Sequence, residues 1–217
     1  MKFIFKTTAT LLLLLACISA FAYFFWYKPK FNTKASTFSF KVTKHETDKN
    51  ALLRIKQQAE DMVLYTIQNH FNKQYCFMVD MKIESGKKRF FVYNIKKDSV
   101  ELAGLVTHGG GKTTAASIQF SNIPNSLCTS LGRYKLGNSY SGKFGLAFKL
   151  YGLDKTNSNA YNRFVVLHSH ACVPNEEVAP LSICESWGCP TVAPSFLREL
   201  KKYIDQSKEP ILLKIYY

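Results

Sequence analysis

The residues best suited to chemistry are His168 and Cys189, in the stretches "VVLHSH" and "ESWGCP". A thiol is a poor nucleophile until it becomes a thiolate. An imidazole beside it can take its proton and later return it to a leaving group. Cys189 follows Gly188, and a glycine lets the backbone turn tightly and a substrate approach closely. Backbone N–H groups around such a turn can face a developing oxyanion. Pro190 removes a competing donor and stiffens the exit. His168 ends an apolar run, where a side chain can be held rigidly yet reach a cleft. By itself, a cysteine and a histidine far apart in sequence are a weak signal.

The same residues admit other roles. Alternate residues of a strand share a face, so His168, His170 and Cys172 can line up, with Cys184 or Cys189 completing a zinc site. Tight C-x-x-C spacing is missing, and no metal or cofactor is assigned. Cys189 can instead pair with Cys172 or Cys184. A Cys172–Cys184 bridge would brace the loop and leave Cys189 free. His168 can also be an ordinary strand-end histidine, or cede the base role to His170.

Two motifs fail on inspection. "THGGGKTT" lacks the G-x-x-x-x-G-K-[ST] spacing, because the first glycine would fall at Val106. It reads as a glycine turn after a strand. Ser85-Gly86-Lys87-Lys88 satisfies S-x-x-K but has no S-D-N or K-T-G partner, and reads as a hairpin turn.

The elements that must position these residues follow from pattern. Asn50–Asn72 reads as an amphipathic helix, with Leu52, Ile55, Ala59, Met62, Val63, Ile67 and Phe71 at helical spacing. "YCFMVDMKI" and "RFFVYNIKK", joined through "ESGKK", read as a hairpin. "SVELAGLVTH" follows as a third strand. Residues 109–159 are rich in Gly, Ser, Asn and Tyr and read as loops and edge strands. "NRFVVLHSH" is a buried strand. "PSFLRELKKYID" is a helix with proline at its start, and "ILLKIYY" is a final strand. The expected class is mainly β (α+β), with a helix near each end.

Upstream, Lys2 and Lys6 precede an apolar run from Thr7 to Tyr27, closed by Lys28 and Lys30. About 20 apolar residues can span a bilayer, and aromatics followed by lysine suit its interface. Residues 1–27 therefore read as a membrane anchor or signal segment, 28–48 as a linker and 49–217 as the functional domain. Ala20-Phe21-Ala22 offers a signal-peptidase site and Leu14-Leu15-Ala16-Cys17 a loose lipoprotein box. All three readings export the body, to the periplasm or the outer face of the cytoplasmic membrane. Outside the cytoplasm thiols tend to pair. Setting Cys17 aside leaves Cys76, Cys128, Cys172, Cys184 and Cys189, so at least one stays unpaired in a monomer. The net charge of +14 suits an anionic partner. The lysines are scattered and no nucleic-acid motif is present, so nucleic acid is not expected. Nothing in the pattern sets an oligomeric state.

With these residues in place, "VVLHSH…ESWGCP" resembles the signature of L,D-transpeptidase (YkuD-like) catalytic domains: a histidine, a spacer of 14–17 residues, then Ser/Thr-His-Gly-Cys. Here 17 residues separate His168 from Ser186, and Trp187 stands where the second histidine would be. The chain is closest to the branch carrying Ser-x-Gly-Cys-Pro. "THGGG", "FSN", "SLG", "YSGKFGLAFKLYGLD" and "NAYNRFVVLH" resemble that branch in order, over roughly Tyr75–Tyr217.

The resemblance implies a β-sandwich-like catalytic domain acting on peptidoglycan stem peptides. The cysteine attacks the carbonyl of the third, diamino acid residue, and D-alanine leaves. An amine acceptor then gives a 3–3 crosslink, and water gives L,D-carboxypeptidase activity. Carried over, Cys189 is the nucleophile and His168 the base. Gly188 and Ser186 shape the oxyanion turn. Trp187, Ser169, His170, Arg163, His108 and Tyr140 are substrate-site candidates. Trp187 can act as neither acid nor base, but offers a stacking face and an indole donor. The alternative to catalysis is a membrane-anchored, non-catalytic wall-binding module.

Overall fold

The computed structural model describes residues 49–111 and 117–217, together with Ser19, Phe21 and Tyr23. The anchor or signal segment 1–27 and the linker 28–48 lie, but for those three positions, outside the described residues. The chain divides into two units at Glu46, and the unit Glu46–Tyr217 carries the elements below. Among the described residues no helix is long and apolar enough to cross a membrane.

The unit opens with helix α1 (Lys49–Gln68). Strands β1 (Tyr75–Asp80), β2 (Phe90–Asn94) and β3 (Ser99–Gly104) follow as an antiparallel meander. Next come β4 (Gly132–Gly142), β5 (Gly145–Gly152) and β6 (Val166–Ser169), then a long loop, β7 (Thr191–Val192), helix α2 (Pro194–Asp205) and β8 (Leu212–Tyr216). The strands form one mixed sheet in the order β3-β2-β1-β8-β4-β5-β6-β7. Just past β3, Val106 bridges to Val192 of β7, and Thr107 N–H donates to Thr191 O at 2.9 Å. The sheet thus curls until its two ends meet, which gives the β-sandwich-like cross-section.

Period-two alternation explains the two faces. Phe77, Val79, Phe90, Val92, Tyr134, Leu136, Phe148, Leu150, Leu167, Leu213 and Ile215 point into the curl, where α2 adds Phe196, Leu197 and Leu200. Pro194 starts α2 at a position that lacks an intrahelical partner anyway. The outer face is shared. Over β1, β2 and β8 it is covered by α1, whose Ile55, Ala59 and Met62 pack on Cys76, Met78, Phe91, Tyr93, Leu212 and Tyr216. Burying Ile55 and Met62 stabilises by about 1.5–3 kcal/mol each. Over β4 to β7 the outer face is left for other use.

Two sequence expectations change here, and one strand is new. The helix ends at Gln68, and its buried stripe is Ala51, Ile55, Ala59, Met62 and Thr66. Leu52 and Ile67 are exposed; the small Ala51 and Ala59 let the helix axis lie close to the sheet on their side. β4 and β5 are interior strands, not edges. β8 pairs with Gly132–Lys135 at the start of β4, whereas the end of β4 pairs with β5 alone. That projecting half is solvent-facing, which is why its sequence is polar. Finally β7, in "CPTV", has only two residues and no pattern by which to find it.

The loop between β6 and β7 is tied by a Cys172–Cys184 disulfide. Cys76, Cys128 and Cys189 are free thiols; Cys76 and Cys128 are buried, and Cys189 is half-buried. Burial pushes the Cys76 thiol up to about 12, so it is inert at neutral pH. The bridge closes a loop with a sequence separation of 12, a length for which cross-linking typically stabilises by about 3 kcal/mol. Replacing Cys172 and Cys184 together with serine should lower the melting midpoint by roughly 5–10 °C. Dithiothreitol should lower the wild-type midpoint comparably and leave the variant's unchanged. A variant that melts with wild type would show that the bridge does not hold the loop.

Candidate active site

The pairing of β6 with β7 brings the segments that carry His168 and Cys189 onto neighbouring strands. The parallel register sets His168 opposite Thr191. Run back two residues, it sets Cys189 beside Val166, whose backbone hydrogen-bonds the sulfur. The Cys189 thiol also faces Phe164 O at 3.7 Å. His168 Nδ1 lies 3.2 Å from Ser169 O. A carbonyl only accepts, so Nδ1 carries the proton and Nε2 keeps its lone pair. That lone pair accepts from Thr191 Oγ1 at 3.0 Å. Thr191 is a site residue that sequence reasoning missed, because only the β6–β7 register identifies it.

Across the outer face the pairings form one row: Tyr140 opposite Ala147, Ala147 opposite His168, His168 opposite Thr191. Directly opposed residues share a face. The small Ala147 leaves a floor between Tyr140 and His168. Phe144, at the tip of the β4–β5 ribbon, stacks on the His168 ring with centroids 4.9 Å apart. No sequence signal singled out Phe144.

The turn that presents Cys189 is held by its neighbours. Ser186 Oγ accepts from Gly188 N–H at 3.2 Å and donates to Cys189 O at 2.6 Å. Thr107 Oγ1 also donates to Cys189 O, at 3.2 Å. Ser186 N–H donates to His108 O, and Gly110 N–H donates to Ser186 O, at 2.8 and 3.0 Å. The failed nucleotide motif is therefore the wall of this turn, at least over His108–Gly110; Lys112 and Thr113 lie outside the described residues. The Gly188 N–H is thereby committed to Ser186.

Two glycines make the crossing possible. A Cβ on Gly109 would stand 2.2 Å from Leu127 O and 2.8 Å from the Cα of Gly188. Gly188 has φ +106°, and a Cβ there would meet Cys128 O at 2.6 Å.

The remaining candidates occupy distinct places. Arg163 donates to Cys128 O at 2.6 Å, to Ser121 O at 2.8 Å, and to Ser126 Oγ and Ser130 Oγ at 3.2 Å each. It lies beneath the turn as a clamp, with both terminal nitrogens donating to protein. His108 is also a wall residue. Its Nδ1 accepts from the buried Arg89 at 3.0 Å, and its Nε2 faces Glu185 Oε1 at 3.6 Å. Burial and the Arg89 cation lower the His108 pKa, so it is neutral at pH 7. His170 lies just past β6, where its N–H donates to Val192 O at 3.1 Å; its ring meets Phe144 edge-on at 5.9 Å, on the side where Phe144 also stacks on His168, and its Nδ1 accepts from Cys172 N–H at 3.2 Å. Trp187 is 82% exposed at the mouth of the site. Cys172 and Cys184 are spent on their bridge. Among the described residues no group of three His, Cys, Asp or Glu is placed to hold a metal.

Electrostatically the resting pair is neutral. Burial raises the Cys189 pKa above its ordinary value, while the Val166 backbone and the Arg163 cation pull it down. Burial lowers the His168 pKa, with the Ser169 contact opposing and His170 adding. A neutral thiol and a neutral imidazole suit proton transfer during attack rather than a standing ion pair. The chemistry within reach is nucleophilic, with a general base on the adjacent strand.

Gly188→Ala should cost about 1–3 kcal/mol from the backbone conformation alone, before its contact with Cys128 O. The turn should be lost before the fold. We expect a circular dichroism spectrum like wild type, a lower melting midpoint and at least tenfold slower alkylation of Cys189 by iodoacetamide. Unchanged alkylation would show that the turn geometry does not set thiol access.

The chain matches the family model for the L,D-transpeptidase catalytic domain, YkuD_2, over residues 46–213. No curated protein sequence matches it significantly. Among solved structures it is similar to the helical cell shape determining protein Pgp2 of Campylobacter jejuni, at 12% identity and a TM-score of 0.43, covering 65% of this chain and 46% of that one. It is also similar to a mutant Enterococcus faecium L,D-transpeptidase, at 13% identity and a TM-score of 0.40, covering 66% and 50%. A third is Mycobacterium tuberculosis L,D-transpeptidase 1, at 11% identity and a TM-score of 0.33, covering 65% and 60%. The chain thus spans about half the length of the first two of these proteins. On the extent of the family match, which takes in β1 to β7, the start of β8, helices α1 and α2, and both His168 and Cys189, the chain belongs to the L,D-transpeptidase catalytic domain family.

Proposed function

We propose that the chain catalyses cysteine-dependent acyl transfer on peptidoglycan stem peptides through a thioester on Cys189. The geometry behind this reading is the thiol that follows a left-handed glycine, with a histidine on the neighbouring strand whose Nδ1–H is fixed on Ser169 O. The Cys189 sulfur attacks the carbonyl carbon of the third stem residue. Its proton passes to His168 Nε2, and the carbonyl oxygen becomes an oxyanion. The Cys189 N–H, which has no backbone acceptor among the described residues, is the donor for that oxyanion. His168 then protonates the amine of the leaving D-alanine and the C–N bond breaks. An amine of a second stem releases the acyl group as a 3–3 crosslink, and water releases it as a trimmed peptide. Thr191 guards the base: turning its hydroxyl toward Cys189 O, 3.5 Å away, frees Nε2 for the sulfur proton.

On this reading residues 49–217 are the catalytic unit, joined by the linker 28–48 to an anchor or signal segment, 1–27. The unit then works outside the cytoplasmic membrane, periplasmic or on its outer face.

Incubation with a carbapenem should add one acyl group by intact mass, and Cys189→Ala should abolish it. Labelling that persists in Cys189→Ala overturns the nucleophile assignment. Disaccharide-tetrapeptide should be turned over, its products separating crosslinking from trimming by mass. Binding to isolated sacculi without labelling or turnover would instead favour a non-catalytic wall-binding module.

The pH dependence follows from the proton states. The His168 pKa lies below its ordinary 6.5, so the base is neutral above that lowered value and protonated below it. Acylation should rise with pH through a midpoint below 6.5, then stay flat until the thiol ionises. The thiol does so above its ordinary 9.0. His168→Ala should slow acylation at pH 7 by about 10²-fold or more and leave only the alkaline rise. An intact acid limb in His168→Ala would move the base role to another group.

A further inference from the structure

A small pocket of about 110 Å³ opens beside Cys189, lined by Tyr140, Lys149, Tyr161, Phe164, Val165 and Val166. Its position follows from register. Lys149 is opposite Val166 on the face that carries His168, one side-chain step along the strands from the Ala147–His168 pair. Phe164 and Val166 are the residues whose backbones touch the Cys189 sulfur. The pocket and the thiol therefore share a wall.

Its chemistry is that of a single cation held between rings. Lys149 Nζ lies 5.8 Å from the Tyr140 ring centroid and 5.5 Å from that of Tyr161. Tyr161 is itself stacked on Tyr151 at 5.2 Å, and Lys135 lies over Tyr151. The rings orient the ammonium and replace part of its hydration. No acidic residue lines the pocket. Two phenol rings and an ammonium in a partly apolar recess favour a small anion attached to a short aliphatic chain.

We infer that the Lys149 pocket is a carboxylate subsite for the acyl-donor peptide, with Lys149 as its anchoring cation and Tyr140 and Tyr161 as its walls. The inference rests on the acyl-transfer reading for the identity of the peptide. A carboxylate held there, one side-chain step from His168, would place the scissile bond against Cys189. Lys149 would act on binding rather than on proton transfer. Two sources share this chemistry: the C-terminal carboxylate of the donor and its internal carboxyl groups.

The test uses the full 217-residue chain with Cys189→Ala, so that binding is read without turnover. Calorimetry compares disaccharide-tetrapeptide with free carboxyls, the same peptide amidated at its C-terminus, and the same peptide amidated internally. Lys149→Gln should weaken the free acid roughly three- to tenfold. The peptide amidated at the recognised carboxyl should bind weakly to both proteins, alike. Whichever amide abolishes the Lys149 effect names the source. Equal affinity of both proteins for the free acid, an equal loss for all three peptides, or no binding by the Lys149 protein overturns the inference. Turnover by the chain that retains Cys189 tests the reading separately: binding as expected without turnover sinks the reading and keeps the subsite.

Discussion

The site depends on one close crossing of backbone, where His108–Gly110 passes over Ser186–Gly188. Without a Cβ on either side the two segments approach to glycine–glycine contact, and their amides and carbonyls then pair. This contact joins the two ends of the sheet, shapes the turn that carries Cys189 and seats Ser186 between two carbonyls. A side chain at Gly109 or Gly188 would force backbone apart rather than push aside a flexible tip. The curl of the sheet and the presentation of the thiol are consequently the same structural event.

Cations brace this crossing from both sides, donating to backbone carbonyls. Arg89, fully buried, donates to Val106 O at 2.9 and 3.0 Å, to Ile83 O and to His108. Burial brings its guanidinium down to about 10, against the opposing pull of Asp80, so it remains charged at pH 7. Arg163 does the same for the carbonyls beneath Gly188. Buried charge is costly unless its donors are satisfied, and here backbone carbonyls satisfy them. Arg163 also lowers the cost of a thiolate while sharing no proton with it. The His168 ring is fixed by Ser169, Thr191 and Phe144, and on the acyl-transfer reading it carries the proton chemistry.

Local pattern carried much of the architecture. Helical spacing marked α1, and its apolar positions Ile55, Ala59 and Met62 are the ones that pack on the sheet. The turn residues of "ESGKK" marked the β1–β2 hairpin, and proline marked the start of α2. Pattern failed where burial is not local. The polar second half of β4 disguised a strand whose first half is interior. The two residues of β7 are too few for any period. Leu52 and Ile67 fit the helical spacing but face solvent, because spacing defines a stripe whose centre is set by the surface it meets.

The sequence by itself determined the inventory: a histidine, a distant Gly-Cys-Pro, an upstream glycine run and an odd set of cysteines beyond Cys17. It also determined the family, since these blocks must occur in that order to fold together. Only the tertiary structure decided which groups touch. Thr191 reaches His168 through a parallel register, Phe144 through the reach of a hairpin, and Lys149 through pairing with Val166. Arg163 and His108 support the turn through carbonyls and side chains remote in sequence. Residue types and spacing constrain what a chain can do chemically, but hydrogen-bond partners across a sheet are set by register, and register is a property of the whole sheet.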